Sequence, residues 1–279
     1  MHHDFDITIN LDIVLCMEAT GHMKHMLAKV RESAIDFSDN LRAELERRNR
    51  PCNGIRIKVI AFRDMTIGDP NEVSKWFSLP SQNADYKAFV DKLVARSGGD
   101  GPNTAIDAIS QAMMQDWVKT GDVRRHVIVL WTDGPTWPPG EQKMDPQLPK
   151  SMPEFVRMWE DPREGIMDPH AKRLFVFAPT YDSWAFVNNL DNACFEEVSP
   201  VKALDELEMN DIIRIIAESV RNRERDGPVP SFSNHVRKDS ASLASINGIG
   251  SETSEERTLR SIPPRFQSLK GPFKGPSTR

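Results

Sequence analysis

The amino-acid sequence predicts an α/β fold: a doubly wound, mostly parallel sheet with helices on both faces. Three observations lead there. Short apolar runs alternate with amphipathic stretches of three- and four-residue period from Leu11 to Val220. Most of the short runs are almost uniformly apolar, as in strands covered on both faces. Polar groups also gather where two of these runs end, as Glu18-Ala19-Thr20-Gly21-His22 and as Thr132-Asp133-Gly134. Doubly wound sheets bind ligands at the carboxyl ends of their strands, where the strand order reverses.

The elements follow in order. Residues 11–16 (LDIVLC) read as a buried first strand. Met23, Met26, Leu27, Val30, Ala34, Phe37, Leu41 and Leu45 then mark one face of a single long helix, ended before Pro51 and Gly54. Residues 55–62 (IRIKVIAF) form the second strand, with Arg63-Asp64 at its end; such an Asp commonly caps a turn. Residues 73–79 read as a short edge strand stopped by Pro80. Tyr86, Phe89, Val90, Leu93 and Val94 share a helical face. The turn GGDGPN (98–103) follows, with Pro102 suited to a first helical turn and Ile106, Ile109, Met113 and Trp117 as the next apolar stripe. That glycine turn lacks the Lys of a phosphate-binding loop, so turn geometry explains it better than an anion cradle.

Residues 126–131 form a further strand. The stretch 135–169 departs from the pattern: eight prolines, with Trp137, Met144, Met152, Met158 and Trp159 among them, indicate an ordered insert or lid with a short helix at 151–159. A strand at 173–178, a short helix at 182–190 and a strand at 193–198 resume the alternation. Ser199-Pro200 reads as a cap and first turn, and Leu204, Leu207, Ile212, Ile213, Ile216 and Val220 as a final amphipathic helix. Residues 1–224 thus read as one domain. Residues 225–279 lose all periodicity and read as a disordered, Ser- and Pro-rich tail. The tail carries Arg257, Arg260, Arg265, Lys270, Lys274 and Arg279 with no acid after Glu256; it reads as a solubilising tail or as a docking segment anchored by Phe266, Leu269 and Phe273.

A net charge of -5 over 279 residues gives no general footprint for nucleic acid or an anionic membrane. Cys16, Cys52 and Cys194 are odd in number and far apart, which suits reduced packing residues of a cytoplasmic protein. The polar, acidic first ten residues are no signal-peptide pattern, and no apolar run approaches the ~20 residues that span a bilayer.

DIVLCMEATGHM, IKVIAFRD, GGDGPNTAIDAI and RRHVIVLWTDGP, in that order, resemble the von Willebrand factor type A domain, a Rossmann-like fold. They are most similar to its intracellular members found with alpha-kinases and with bacterial stress and tellurium-resistance operons. The resemblance spans about residues 5 to 222 and omits the tail. It implies a metal-ion-dependent adhesion site, in which an Asp-x-Ser/Thr-x-Ser loop, a residue of a later loop and an Asp after the fourth strand hold Mg²⁺ or Mn²⁺ for a partner's carboxylate. By position, Glu18 stands for the first Asp, Thr20 for the first hydroxyl, His22 for the second and Asp133 for the last acid; Asp100 or Thr104 would be the middle ligand. Asn103 stands where close relatives often carry an acid.

Two ligand positions are altered. Glu18 is one methylene longer than Asp, and His22 offers a nitrogen that suits Zn²⁺ or Mn²⁺ better than Mg²⁺. Three functions follow as expectations. The first is a non-enzymatic intracellular scaffold that binds a protein, such as a kinase, phosphatase or stress-system component, through the loops at the strand ends. The second is a metal-dependent hydrolase using Glu18, His22 and Asp133, with Asp64 as a further candidate, around Zn²⁺ or Mn²⁺; separately, a His22/His25 pair with Glu18 would imitate a transition-metal site. The third is a metal-free domain that presents a basic tail.

Overall fold

A computed structural model of the chain describes residues 8–96, 101–161, 166–198 and 208–220. Its strands are β1 (Ile9–Glu18), β2 (Gly54–Phe62), β3 (Glu72–Val73), β4 (Phe77–Leu79), β5 (Val123–Trp131), β6 (Lys172–Ala178) and β7 (Ala193–Glu197). Its α-helices are α1 (Lys24–Ser33), α2 (Phe37–Arg47), α3 (Asn83–Lys92), α4 (Ala105–Met113), α5 (Met152–Glu160) and α6 (Met209–Ser219), with 3-10 turns at Met65–Ile67 and Asp182–Asn189. The seven strands make one sheet in the order β3-β2-β1-β5-β6-β7, with β4 also on β2. Neighbours from β2 to β7 are parallel, while β3 and β4 run antiparallel to β2. The fold class read from the sequence is therefore the one observed.

Strand order reverses at β1, which pairs with β2 on one side and β5 on the other. The side chains of β1 alternate between two cores. Leu11, Ile13, Leu15 and Met17 pack with α1, α2, α3 and α6, while Val14 and Cys16 pack with α4 and α5. Glu18 continues the second series and reaches the carboxyl edge on the α4 side. At the other end Asp12, 1% exposed, accepts from Arg56 Nε at 2.8 Å and from the Val118 N–H at 2.6 Å, tying β1 to β2 and to the loop before β5.

Several elements differ from their sequence reading. The long first helix is two, α1 and α2, because the chain tightens into a turn at 34–36, where the Ser33 hydroxyl donates back to the Lys29 carbonyl. Its apolar face runs on unbroken through Met26, Val30, Ala34, Phe37, Leu41 and Leu45, all buried. The expected edge strand is split into β3 and β4. Helix α3 stops at Lys92; Leu93 turns extended and Val94 is 56% exposed, so Val94 leaves the shared face. Helix α4 begins at Ala105, after Pro102, and ends before Trp117, which is buried beyond it. Ser199-Pro200, Leu204, Leu207 and the tail lie outside the described residues.

The Pro-rich insert packs on its own domain. Leu148, Phe155, Trp159 and Met167 are buried, and α5, capped by Ser151, shares the core of α4. Covered by the sheet on one side and the insert on the other, α4 is buried without interruption from Asn103 to Ser110. Among the described residues no helix is long and apolar enough to cross a membrane.

Candidate functional site at the carboxyl edge

The site sits at the switch point between β1 and β5. Glu18, the last residue of β1, is 5% exposed and lies beside residues 132–134, which leave β5. Its longer side chain lets the carboxylate reach across to them. Oε1 accepts a hydrogen bond from Thr20 Oγ1 at 2.8 Å. Oε2 accepts from Thr132 Oγ1, from Asn103 Nδ2 at 3.0 Å and from the Asp133 N–H at 3.3 Å.

The directions of these bonds are set by their neighbours. Thr132 Oγ1 already accepts from Asn103 Nδ2 at 2.7 Å and from the Gly134 N–H at 3.2 Å, so its own proton goes to Glu18. Four donors thus converge on one carboxylate. Burial raises the Glu18 pKa, as does the Asp133 charge beside it, against the opposing pull of the Thr132, Thr20 and Asp133 hydrogen bonds.

Asn103 is the joint of the site. Its backbone bridges to the insert, donating to the Pro135 carbonyl at 3.0 Å and accepting from Trp137 N–H at 2.8 Å. Its Oδ1 accepts from Ala105 N–H at 3.1 Å, covering one orphan amide of the α4 amino terminus. One side chain therefore caps a helix and holds Glu18.

A buried cation supports the loop from below. Arg63, 1% exposed, donates through Nε to the Ala19 carbonyl at 2.9 Å. Its Nη2 donates to Val94 O at 2.7 Å and to Glu72 Oε1 at 2.8 Å. Asp64 caps the 3-10 turn after β2, accepting from Thr66 N–H at 2.9 Å and Thr66 Oγ1 at 2.6 Å.

Of the expected ligand residues, the structure brings Glu18, Thr20 and Asp133 together. Asp133 is half-buried, and among the described residues its carboxylate makes no hydrogen bond. The Thr104 hydroxyl faces away, donating to the Arg63 carbonyl at 3.3 Å and accepting from Met65 N–H at 3.2 Å. His22 and His25 are exposed; His25 Nδ1 lies 3.2 Å from the His22 carbonyl. Asp100 lies outside the described residues. Among the described residues, no three His, Cys, Asp or Glu side chains converge to hold a metal. A divalent ion needs oxygen lone pairs. Here the oxygens of Glu18 are engaged by four donors and Thr104 is turned elsewhere, so this donor set does not fit Mg²⁺.

Asn103 and Thr132 are residues of this cluster that ligand matching passes over. Asn103 was visible as a departure from the acid of close relatives, and Thr132 as the hydroxyl beside Asp133. Their joint role depends on the pairing of β1 with β5, which no local pattern encodes.

No family model matches the chain, and no curated protein matches it. Among solved structures it is similar to proximal thread matrix protein 1 from the mussel byssus, at 16% identity over 76% of this chain and 46% of that one, with a TM-score of 0.42. It is also similar to the pilus adhesin SpaC of Lactobacillus rhamnosus GG, at 12% identity over 77% of this chain and 31% of that one, with a TM-score of 0.47. The chain spans less than half the length of either. At these values the likeness identifies neither a family nor an activity.

Proposed function

We propose that residues 1–224 are a protein-binding module of von Willebrand type A kind that works without a resident divalent ion. It recognises its partner through the loops at the carboxyl edge of the sheet. The observation that carries this reading is the closed set of donors on Glu18. Where a metal-ion-dependent adhesion site would use its acid to hold a cation, this chain uses Thr20, Asn103, Thr132 and the Asp133 amide to hold the acid.

The polarity of the edge changes accordingly. A bound divalent ion would draw a partner's carboxylate; without one, Asp133 leaves a negative charge at the rim. Its complement is a basic side chain, for which a carboxylate with free lone pairs is a suitable acceptor. The hydrolase expectation needs three converging ligands and an open position, and no observation favours it. A scaffold role beside a kinase, phosphatase or stress-system component remains what the resemblance implies.

Two measurements test the proposal. Titration with Mg²⁺, Mn²⁺ or Zn²⁺ is expected to leave the melting temperature unchanged. A true site filled to about 100 times its Kd would add about 2.7 kcal/mol, and such a rise, abolished in Asp133→Ala, would overturn the metal-free reading. Affinity capture on the wild type and Asp133→Lys should lose the edge-bound protein from the variant while its circular dichroism is unchanged. Equal capture of the same protein by both would place recognition elsewhere.

A further inference from the structure

Asp107 lies in the first turn of α4 and is completely buried, yet neither carboxylate oxygen has a hydrogen-bond partner. The elements packed against α4 offer it nothing polar to hold. They present Val14 and Cys16 of β1, Ile60 and Phe62 of β2, Ile128 and Leu130 of β5, and Phe155 and Trp159 of α5. Of these only Cys16 titrates; its thiol lies 3.7 Å from the Ala108 carbonyl, and burial pushes its pKa up, so it stays neutral.

The charged group that acts on Asp107 comes from the insert. It is Asp145, held in place by Gln142, whose Nε2 donates to the Asp145 carbonyl and whose Oε1 accepts from the Asp145 N–H, each at 2.9 Å. Asp145 Oδ1 accepts from Gln147 N–H at 3.0 Å. The insert thus closes an acid over a buried acid that has no donor to stabilise its charge. Such a pair tolerates closure only if one member is protonated.

We propose that Asp107 is a proton-operated latch for insert residues 135–161. Protonated, it lets the insert close over α4. Ionised, it is repelled by Asp145 and drawn towards water, and the insert lifts. The latch connects to the carboxyl edge, because the Ile106 N–H donates to Thr136 Oγ1 at 3.2 Å and that hydroxyl donates to the Asn103 carbonyl at 3.2 Å. Lifting the insert releases the residue that holds Glu18.

Burial, then Asp145, push the Asp107 pKa up to about 7. In the opened insert it returns to the ordinary range near ~4. The closed form therefore binds the proton more tightly, and closure is favoured at low pH. The closing equilibrium falls by up to about tenfold per pH unit between those two values and levels off above them.

Hydrogen exchange of the insert, corrected for the intrinsic pH dependence of exchange and referenced to the central strands, tests this. Asp107→Asn copies the protonated acid. At about pH 5 its insert amides should be about tenfold better protected than those of the wild type, and at about pH 8 roughly a thousandfold better. A protection ratio that does not change with pH would overturn the latch. Asp145→Asn, at a partly exposed position, supplies the independent arm: with the repulsion gone, the wild-type transition should move to lower pH. A transition that stays in place overturns the role of Asp145. Restoration of protection at high pH by millimolar Ca²⁺ or Mg²⁺ would show that the pair binds a cation, and would overturn the proton mechanism.

Discussion

Glu18→Ala is expected to destabilise the domain by roughly 3 kcal/mol, with Glu18→Gln close to neutral at acidic pH. Alanine leaves Thr20 Oγ1, Thr132 Oγ1, Asn103 Nδ2 and the Asp133 amide facing a cavity, and each buried donor left unpaired costs about 1–3 kcal/mol. Relief of the repulsion between Glu18 and Asp133 and entry of water hold the total below the sum. Glutamine keeps the shape. Its oxygen can take the three-donor position, and its amide can donate to Thr20 Oγ1, which is free to rotate and accept.

The pH dependence of this pair follows from the raised Glu18 pKa. A carboxyl whose folded pKa lies above its unfolded value contributes stability that is present below the unfolded value, near ~4.3, and lost as pH rises through the folded one. The wild type should therefore lose stability relative to Glu18→Gln over that window, by at most about 1.4 kcal/mol per pH unit. Chemical denaturation of both proteins across the window measures it. A constant difference between them would mean that Glu18 titrates normally.

Arg63→Met is expected to cost about 3 kcal/mol. The guanidinium is buried and joins three segments: the loop after β1 through Ala19, the chain just after α3 through Val94, and the start of β3 with the loop before it through Glu72 and Asp69. Methionine fills much of the volume but leaves the Val94 carbonyl unpaired. Ala19 O keeps its second donor, the Arg96 N–H at 3.1 Å. Glu72 is 39% exposed and can turn to water, so the cost comes from the part-buried Val94 carbonyl, the Asp69 carboxylate and lost packing. Arg63→Lys should recover less than half, since one ammonium cannot reproduce the planar fork. Equilibrium unfolding that matches the wild type would show that the three segments hold without it.

Much of the architecture was legible because it is written in local composition. The run Ile13–Val14–Leu15–Cys16 has no polar face, and it proves to be buried on both sides. Glu18 and Asp133 could be matched across the switch point because each stands within two residues of the end of such a run. His22 shows the limit: sequence spacing places it in the loop, and only the backbone path turns it to solvent. Val94 fell off its helical face because Leu93 turns extended, leaving the Val94 carbonyl for Arg63 to meet. Asp107 gave no sign of its position, because an acid in a first helical turn ordinarily faces water. The insert that covers it begins 28 residues later at Pro135.

Thr132 and Glu18 are 114 residues apart in the chain, and Asn103 and Glu18 are 85 apart. Such links close only once the strands between them have paired, so the carboxylate is assembled late, after most of the loop-closure entropy has been spent. A nascent or partly unfolded chain therefore has β1 without its site. Any partner that reads this edge reads, in the same contact, that the domain around it is finished.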